Sequence, residues 1–377
     1  MRRRTWLGSA WWTAWAAMAT GPGVAARQPA HELLPFPLQF PRDHGAHPQR
    51  RTEWWYVTGA LQTESGQALG FQITFFRSRV AALATNDPAG ALPRRFEPAQ
   101  LLFAHGALSD LAAQRQWHAE RLARWNGRPD ARPAYARLDD TDVAIGPWRL
   151  RRLPGQAVDR YQAWLEDAGF GFELLLTCTQ PLLLQGQGGL SRKGPQASQA
   201  SAYYSQPQLA VSGTVRRGAQ RSPVTGTAWL DHEWSESLLH PDAVGWDWIG
   251  MNLDDGSALT AFQLRRADGS ALWAGGSWRA PGGQATRAFR ADEVRFTPLH
   301  HWLSPASGAR YPLHWRVDTP TGPFLVKSRL DAQELDSRRS TGAIYWEGLS
   351  ELRAADGGQR LGLGYLELTG YGGRLAL

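Results

Sequence analysis

Glu53-Trp54-Trp55-Tyr56 is followed by Leu61, Gly66, Ala68-Leu69 and Phe71-Gln72-Ile73, and the order returns in the second half as Trp246-Asp247-Trp248-Ile249, Leu253, Gly256, Ala258-Leu259 and Phe262-Gln263-Leu264. Each half opens with a strand that carries paired Trp and an acid, then a turn, then a second apolar strand, as tandem copies of one β-rich unit do. Around these blocks a period of two is far commoner than one of 3.6. In Gln208 to Val215, Leu209, Val211, Gly213 and Val215 face one way while Gln208, Ala210, Ser212 and Thr214 face the other. Phe71 to Arg77, Phe170 to Thr179, Leu313 to Val317, Phe324 to Leu330 and Leu361 to Leu368 are similar runs, separated by turns such as Asp255-Gly256, Asp268-Gly269 and Asp356-Gly357. The expected class is all-β. Leu108 to Trp125 fits an amphipathic helix and a hairpin equally, and Gly186 to Ser201, rich in Gly, Ser and Gln, reads as a long loop that would suit a lid.

The composition agrees. In 377 residues, 40 Gly and 24 Pro are too many turn formers for a helix bundle, and 20% charged against 42% hydrophobic residues is the balance of a globular chain. Nineteen Trp outnumber the 13 Phe and 9 Tyr, which points to rings lining a fold or pocket. The net charge of +7 owes three units to Arg2, Arg3 and Arg4, which precede the apolar run Trp6 to Met18 and the small residues Val24, Ala25 and Ala26. This is the pattern of a signal peptide, residues 1–26, with cleavage expected after Ala26 and export to the periplasm or beyond. Arg3-Arg4-Thr5-Trp6-Leu7 fits a twin-arginine signal as well as an ordinary Sec signal. The other Arg are scattered, so nucleic acid is not an expected partner. The lone Cys178 excludes an intrachain disulfide and reads as a small core residue.

Several multi-residue blocks carry a family resemblance: Glu53-Trp54-Trp55-Tyr56-Val57-Thr58-Gly59, Tyr203-Tyr204-Ser205-Gln206-Pro207, Gly226-Thr227-Ala228-Trp229-Leu230-Asp231-His232-Glu233-Trp234-Ser235 and Gly245-Trp246-Asp247-Trp248. At these residues the chain resembles the two-barrel, lipocalin-like, AttH-like proteins that include carotenoid 1,2-hydratases and exported homologues loosely described as secreted hydrolases. The resemblance implies two consecutive lipocalin-like antiparallel β-barrels or sandwiches packed together, residues 27–238 and 239–377, with an apolar guest. The two would meet near Leu238 to Val244, where Leu239-His240-Pro241-Asp242 supplies a break.

Strand parity then selects candidate residues. In Gly226 to Trp234, Ala228, Leu230, His232 and Trp234 share one face, and Thr227, Trp229, Asp231 and Glu233 the other. In Gly245 to Leu253, Asp247 falls with Ile249, Met251 and Leu253, opposite Trp246 and Trp248. An aspartate on an apolar face is expected either to be held protonated by desolvation or to be paired with an Arg. Glu53, its counterpart in the first copy, follows Arg50-Arg51 and reads as a salt bridge that closes the first barrel. The hydratase resemblance implies Asp247 as the acid that protonates a carbon-carbon double bond, Trp234 as the ring that stabilises the cationic carbon, and His232 or Glu233 as the group that directs water. Where those hydratases carry a Tyr two residues before the acid, this chain has Gly245.

Other chemistries lack their residues. His300-His301 and His44-Gly45-Ala46-His47 have neither a helical partner nor a Cys cluster, so no metal is expected. No Gly-x-Ser-x-Gly elbow, phosphate loop or dinucleotide fingerprint occurs, and no cofactor is expected. Three readings from different classes follow: a cofactor-free lyase acting on a terpenoid- or lipid-like substrate, a non-catalytic carrier that passes an apolar ligand to an envelope transporter, and a scaffold without an internal pocket.

Overall fold

A computed structural model describes residues 37–80, 100–155, 157–237, 239–283 and 285–373. The expected leader, residues 1–26, and Leu238 at the expected junction lie outside the described residues. Twenty-three strands and two three-residue 3-10 turns make up the regular structure of the described residues, with no α-helix.

The first sheet contains β1 (Thr52–Thr63), β2 (Ala68–Arg79), β3 (Gln100–Asp110), β4 (Arg115–Trp125), β5 (Ala134–Ala136), β6 (Asp142–Ile145), β7 (Trp148–Leu153), β8 (Arg160–Glu166), β9 (Phe170–Thr177), β10 (Leu183–Leu184), β11 (Leu190–Arg192), β12 (Ala200–Arg217) and β13 (Gln220–Ser235). The second contains β14 (Gly245–Leu253), β15 (Ala258–Arg265), β16 (Ala271–Arg279), β17 (Thr286–Phe289), β18 (Arg295–Leu303), β19 (Arg310–Thr319), β20 (Gly322–Ser328), β21 (Glu334–Ser337), β22 (Ala343–Ala354) and β23 (Arg360–Leu368). Their orders match: β4-β3-β2-β1-β13-β12-β9-β8-β7-β6-β5 in one and β17-β16-β15-β14-β23-β22-β20-β19-β18 in the other. In both, the opening strand lies between its hairpin partner and the closing strand, which is the structural form of the tandem repeat. All pairings are antiparallel, and in the first sheet the edge strands β4 and β5 approach each other, leaving a nearly closed barrel.

Leu108 to Trp125 falls on the β3/β4 hairpin, with a turn at Leu111 to Gln114. Strand parity turns Trp117, Ala119 and Ala123 against the first core and His118 and Glu120 to the other face. Gly186 to Ser201, expected as a loop, holds the short strand β11, which pairs with β12. In Gln208 to Val215 the expected face is the core face: Leu209, Val211 and Val215 are all buried in the first barrel.

Two-residue alternation places the cores. Trp55, Val57 and Leu61 of β1 and Ala228, Leu230 and Trp234 of β13 fill the first barrel. Ile249 and Met251 of β14 and Leu366 and Leu368 of β23 fill the core of the second sheet. Burying each such side chain is worth about 1.5–3 kcal/mol. The opposite faces of the same strands pack against each other through Tyr56, Trp229, Trp248, Phe262, Leu349 and Tyr365. Two glycines permit that approach: a methyl at Gly70 would sit 2.8 Å from the Tyr365 hydroxyl, and one at Gly250 3.2 Å from the Trp229 ring. A bulge in β12 turns Gln208 outward at φ +56°, where its amide bonds Leu253 and Ser257 of the second half at 2.9 and 2.8 Å.

Candidate functional site

Parity sends the four expected site residues to three different places. His232 and Trp234 point into the first barrel and are fully buried. His232 Nε2 lies 3.0 Å from Glu53 Oε1 and its Nδ1 3.2 Å from the Tyr204 hydroxyl, while its ring stacks on Trp55 at 4.7 Å. Trp234 stacks on His47 at 3.8 Å. Burial pulls the His232 imidazole down to about 4, against the pull of Glu53, so it is neutral near pH 7.

Glu53 anchors this cluster as an anion. Burial favours its neutral form, but Arg77 Nε at 2.7 Å, His232 and His47 hold it well below the usual carboxylate range. The salt bridge expected at Glu53 is therefore present with Arg77, its cross-strand neighbour on β2, and not with Arg50 or Arg51. His47 Nδ1 is 2.8 Å from Glu53 and its Nε2 3.4 Å from Asp43; burial works against its charge, but these two acids raise its pKa. His47, Glu53 and His232 offer three potential ligand atoms within 4.8 Å of one another, the set best placed to take a metal ion among the described residues. Each of those atoms is already hydrogen-bonded within the cluster, so the arrangement is complete as a buried ion-pair network.

Asp247 points into the core of the second sheet, on the face of Ile249 and Met251, away from His232 and Trp234. It is fully buried, 3.0 Å from Arg265 Nε, 2.7 Å from Gln263 Nε2 and 2.9 Å from the Tyr371 hydroxyl. Arg265 in turn lies over the Tyr371 ring at 3.7 Å. Burial raises the Asp247 pKa and these partners offset it in part. An acid facing a cavity shared with His232 and Trp234 is thus not what the fold contains: His232 lies inside the first barrel and Asp247 on the core face of the second sheet.

The cavity lies between the sheets, on the opposite parity. A pocket of about 350 Å³ is walled by Trp54, Tyr56, Tyr203, Trp246, Trp248 and Phe262, with Phe76 and Phe103 further along. Four carboxyl groups reach it: Asp231 and Glu233 from β13, Glu347 from β22 and Glu367 from β23. Glu233 is the one expected site residue that lines it. The Glu233 carboxylate accepts from the Ser201 hydroxyl and pairs with Lys193 Nζ at 3.0 Å.

Burial shapes the other three acids. Asp231 accepts from Tyr203 Oη at 2.8 Å, Ser205 Oγ at 2.5 Å and Trp229 Nε1 at 2.7 Å, yet desolvation outweighs these bonds and pushes its pKa up to about 7. Tyr203 also accepts from Trp248 Nε1 at 3.2 Å. Glu347 and Glu367 are cross-strand neighbours. Burial and then the neighbouring Glu367 hold Glu347 well above the usual carboxylate range, and burial pushes Glu367 up to about 7. The buried Tyr56 hydroxyl neighbours the Glu347 carboxyl and lowers its pKa, against the larger opposing effects of burial and Glu367. A protonated carboxyl beside an acid that titrates near neutrality, in an aromatic pocket, can donate one proton and accept another.

The parity argument missed Asp231, Glu347, Glu367 and Lys193. One signal was present: Trp229-x-Asp231-x-Glu233, Tyr345-x-Glu347 and Tyr365-x-Glu367 each put acids on one strand face with an aromatic ring.

The comparisons with known proteins agree with the fold. A crystal structure of a protein assigned as AttH from Nitrosomonas europaea superposes with a TM-score of 0.79 at 47% identity, over 89% of this chain and 97% of that one. Kievitone hydratase from Nectria haematococca superposes with a TM-score of 0.67 at 12% identity, over 88% and 92%, a likeness of fold. No curated protein matches the sequence. The AttH-like family matches residues 32–371, which take in both sheets and the pocket between them, and the chain therefore belongs to that family.

Proposed function

We propose that the inter-sheet pocket binds an apolar, unsaturated molecule and adds a proton to one of its carbon-carbon double bonds, leading to hydration or isomerisation. The observation that carries this reading is Glu347, a buried carboxyl directly across the strand pair from Glu367 and held well above the usual carboxylate range, in a pocket walled by Trp and Tyr rings. Its proton passes to one alkene carbon and leaves a carbocation on the next, which the faces of Trp54, Tyr56 and Trp248 stabilise. In hydration, water adds to that carbon and Asp231 takes the proton the water releases; in isomerisation, Asp231 takes a proton from the adjacent carbon. Asp231 then releases its proton to solvent, and solvent returns one to Glu347. Kinship with a hydratase fold supports the reading, while the residues in these roles differ from the Asp247, Trp234 and His232 that the family resemblance implied.

The arginine-led leader supports export, and amino-terminal sequencing of the protein from its native host is expected to begin near Arg27. An intact Met1 would refute it. For the chemistry, apolar molecules extracted from natively purified protein and identified by mass spectrometry supply the substrate class. Wild type and Glu347→Gln are then compared for retention and turnover of that molecule. Retention by both with turnover by neither means a carrier.

A further inference from the structure

Lys193 shows what the pocket holds well. The residue follows β11 on the strap that closes against β12, and its ammonium enters the pocket 4.2 Å from the Phe262 ring centroid and 4.9 Å from that of Tyr203, with Glu233 Oε1 at 3.0 Å. An organic cation is bound in this way: two ring faces and one carboxylate, in a space largely closed to water. The remaining lining repeats the same chemistry. Trp54, Tyr56, Trp246 and Trp248 add four more rings, and Asp231, Glu347 and Glu367, whose raised pKa values a bound cation would lower, add acidic groups against Arg51 as the other cationic side chain among the described lining residues.

We propose that this pocket is selective for organic cations, and that its preferred ligands are apolar chains bearing a tertiary or quaternary ammonium, with Lys193 occupying the cation seat when no ligand is present. The proposal rests on the reading above that the pocket takes an apolar ligand, and it deepens that reading, since a substituted ammonium is a stable equivalent of a tertiary carbocation in charge and shape. A ligand ammonium that enters displaces the Lys193 ammonium towards solvent along its flexible stem, and Glu233 exchanges one cation for another. A ligand with a carboxylate head would instead leave Lys193 in place and use it as an anchor.

Calorimetric titration of the full chain with decyltrimethylammonium, decanol and decanoate, each below its micelle concentration at pH 7, separates these cases. The ammonium is expected to bind at least tenfold more tightly than decanol, with decanoate weakest, a margin on the scale of a desolvated cation over aromatic faces. Lys193→Met, which keeps the apolar stem and empties the seat, is expected to tighten the ammonium further by several-fold and to leave decanol unchanged. Preference for decanoate, equal binding of all three probes, or weaker ammonium binding by Lys193→Met would overturn the cation preference while leaving an apolar-ligand pocket in place. Failure of all three probes to bind would overturn that pocket as well. Far-ultraviolet circular dichroism of the variant confirms that each comparison is between folded proteins.

Discussion

Glu347 on β22 and Glu367 on β23 stand directly opposite each other across the strand pair, on the face that looks towards the first sheet, and neither forms an ion pair among the described residues. Two like charges so placed repel, and burial removes the water that would screen them. The pair therefore carries at least one proton at neutral pH.

Glu347→Gln should show the cost of that burial. A carboxyl whose folded pKa is raised contributes stability that is complete below its unfolded pKa and is lost as pH rises through the folded value. For Asp231 and Glu367, both pushed up to about 7, that loss runs from the ordinary carboxylate range to near neutrality, and for Glu347 it continues higher. Thermal unfolding of the wild type should fall from pH 5 to pH 8. In Glu347→Gln the slope should flatten and the Tm at pH 8 should rise by a few degrees, while turnover drops by about two to four decades. An unchanged slope would remove Glu347 from its role.

Asp231→Asn and His232→Gln, changes at adjacent residues on opposite faces of β13, should separate by phenotype. Asp231→Asn keeps the size of the side chain and removes the base, so turnover falls while ligand retention changes little. His232→Gln breaks a buried contact with Glu53 and costs about 1–3 kcal/mol, with ligand retention intact. If His232→Gln abolishes retention and Asp231→Asn does not, the ligand lies inside the first barrel.

Asp247→Asn tests the structural role assigned to the ion pair in the core of the second sheet. It leaves the guanidinium of Arg265 buried without its counter-charge, at a cost of about 3–5 kcal/mol and a Tm lower by several degrees. Retention of pocket ligands by the folded variant should match the wild type. Full stability with lost turnover would restore Asp247 as the acid.

Glu53→Gln should reveal the opposite pH dependence from that of Glu347. A carboxyl whose folded pKa is depressed contributes stability above its unfolded pKa and loses it as pH falls towards the folded value. The destabilisation of Glu53→Gln relative to the wild type should thus be largest at neutral pH and narrow as pH drops below the ordinary glutamate range. A gap that is constant with pH would mean that charge at Glu53 contributes nothing.

The tandem order, the all-β class and the strand runs were legible in the sequence because they rest on local periodicity and on Trp pairs that recur in the same order. Even the roles of Glu53 and Asp247 were half visible, since an acid on a core face needs a partner. Their partners were not visible. Arg77 is set against Glu53 by the β1/β2 register, and Arg265 is brought to Asp247 across β14 and β15. The choice of face was hidden for a related reason. Strands β1, β13, β14 and β23 are buried on both sides, one against a barrel core and one against the other sheet, so alternation alone does not distinguish a filled interior from a pocket. His232 and Trp234 read as a site because they share a strand face and the hydratase resemblance implied roles for them, but that face is the packed interior of the first barrel. Asp231 and Glu233 fall on the opposite strand face, and packing of the second sheet over them turns that face into an enclosed pocket and adds Glu347 and Glu367 from far along the chain. Sequence determines which side chains share a strand face; only the packing of sheet on sheet decides whether that face meets water, a core or a cavity, because desolvation depends on what covers the strand and not on the strand itself.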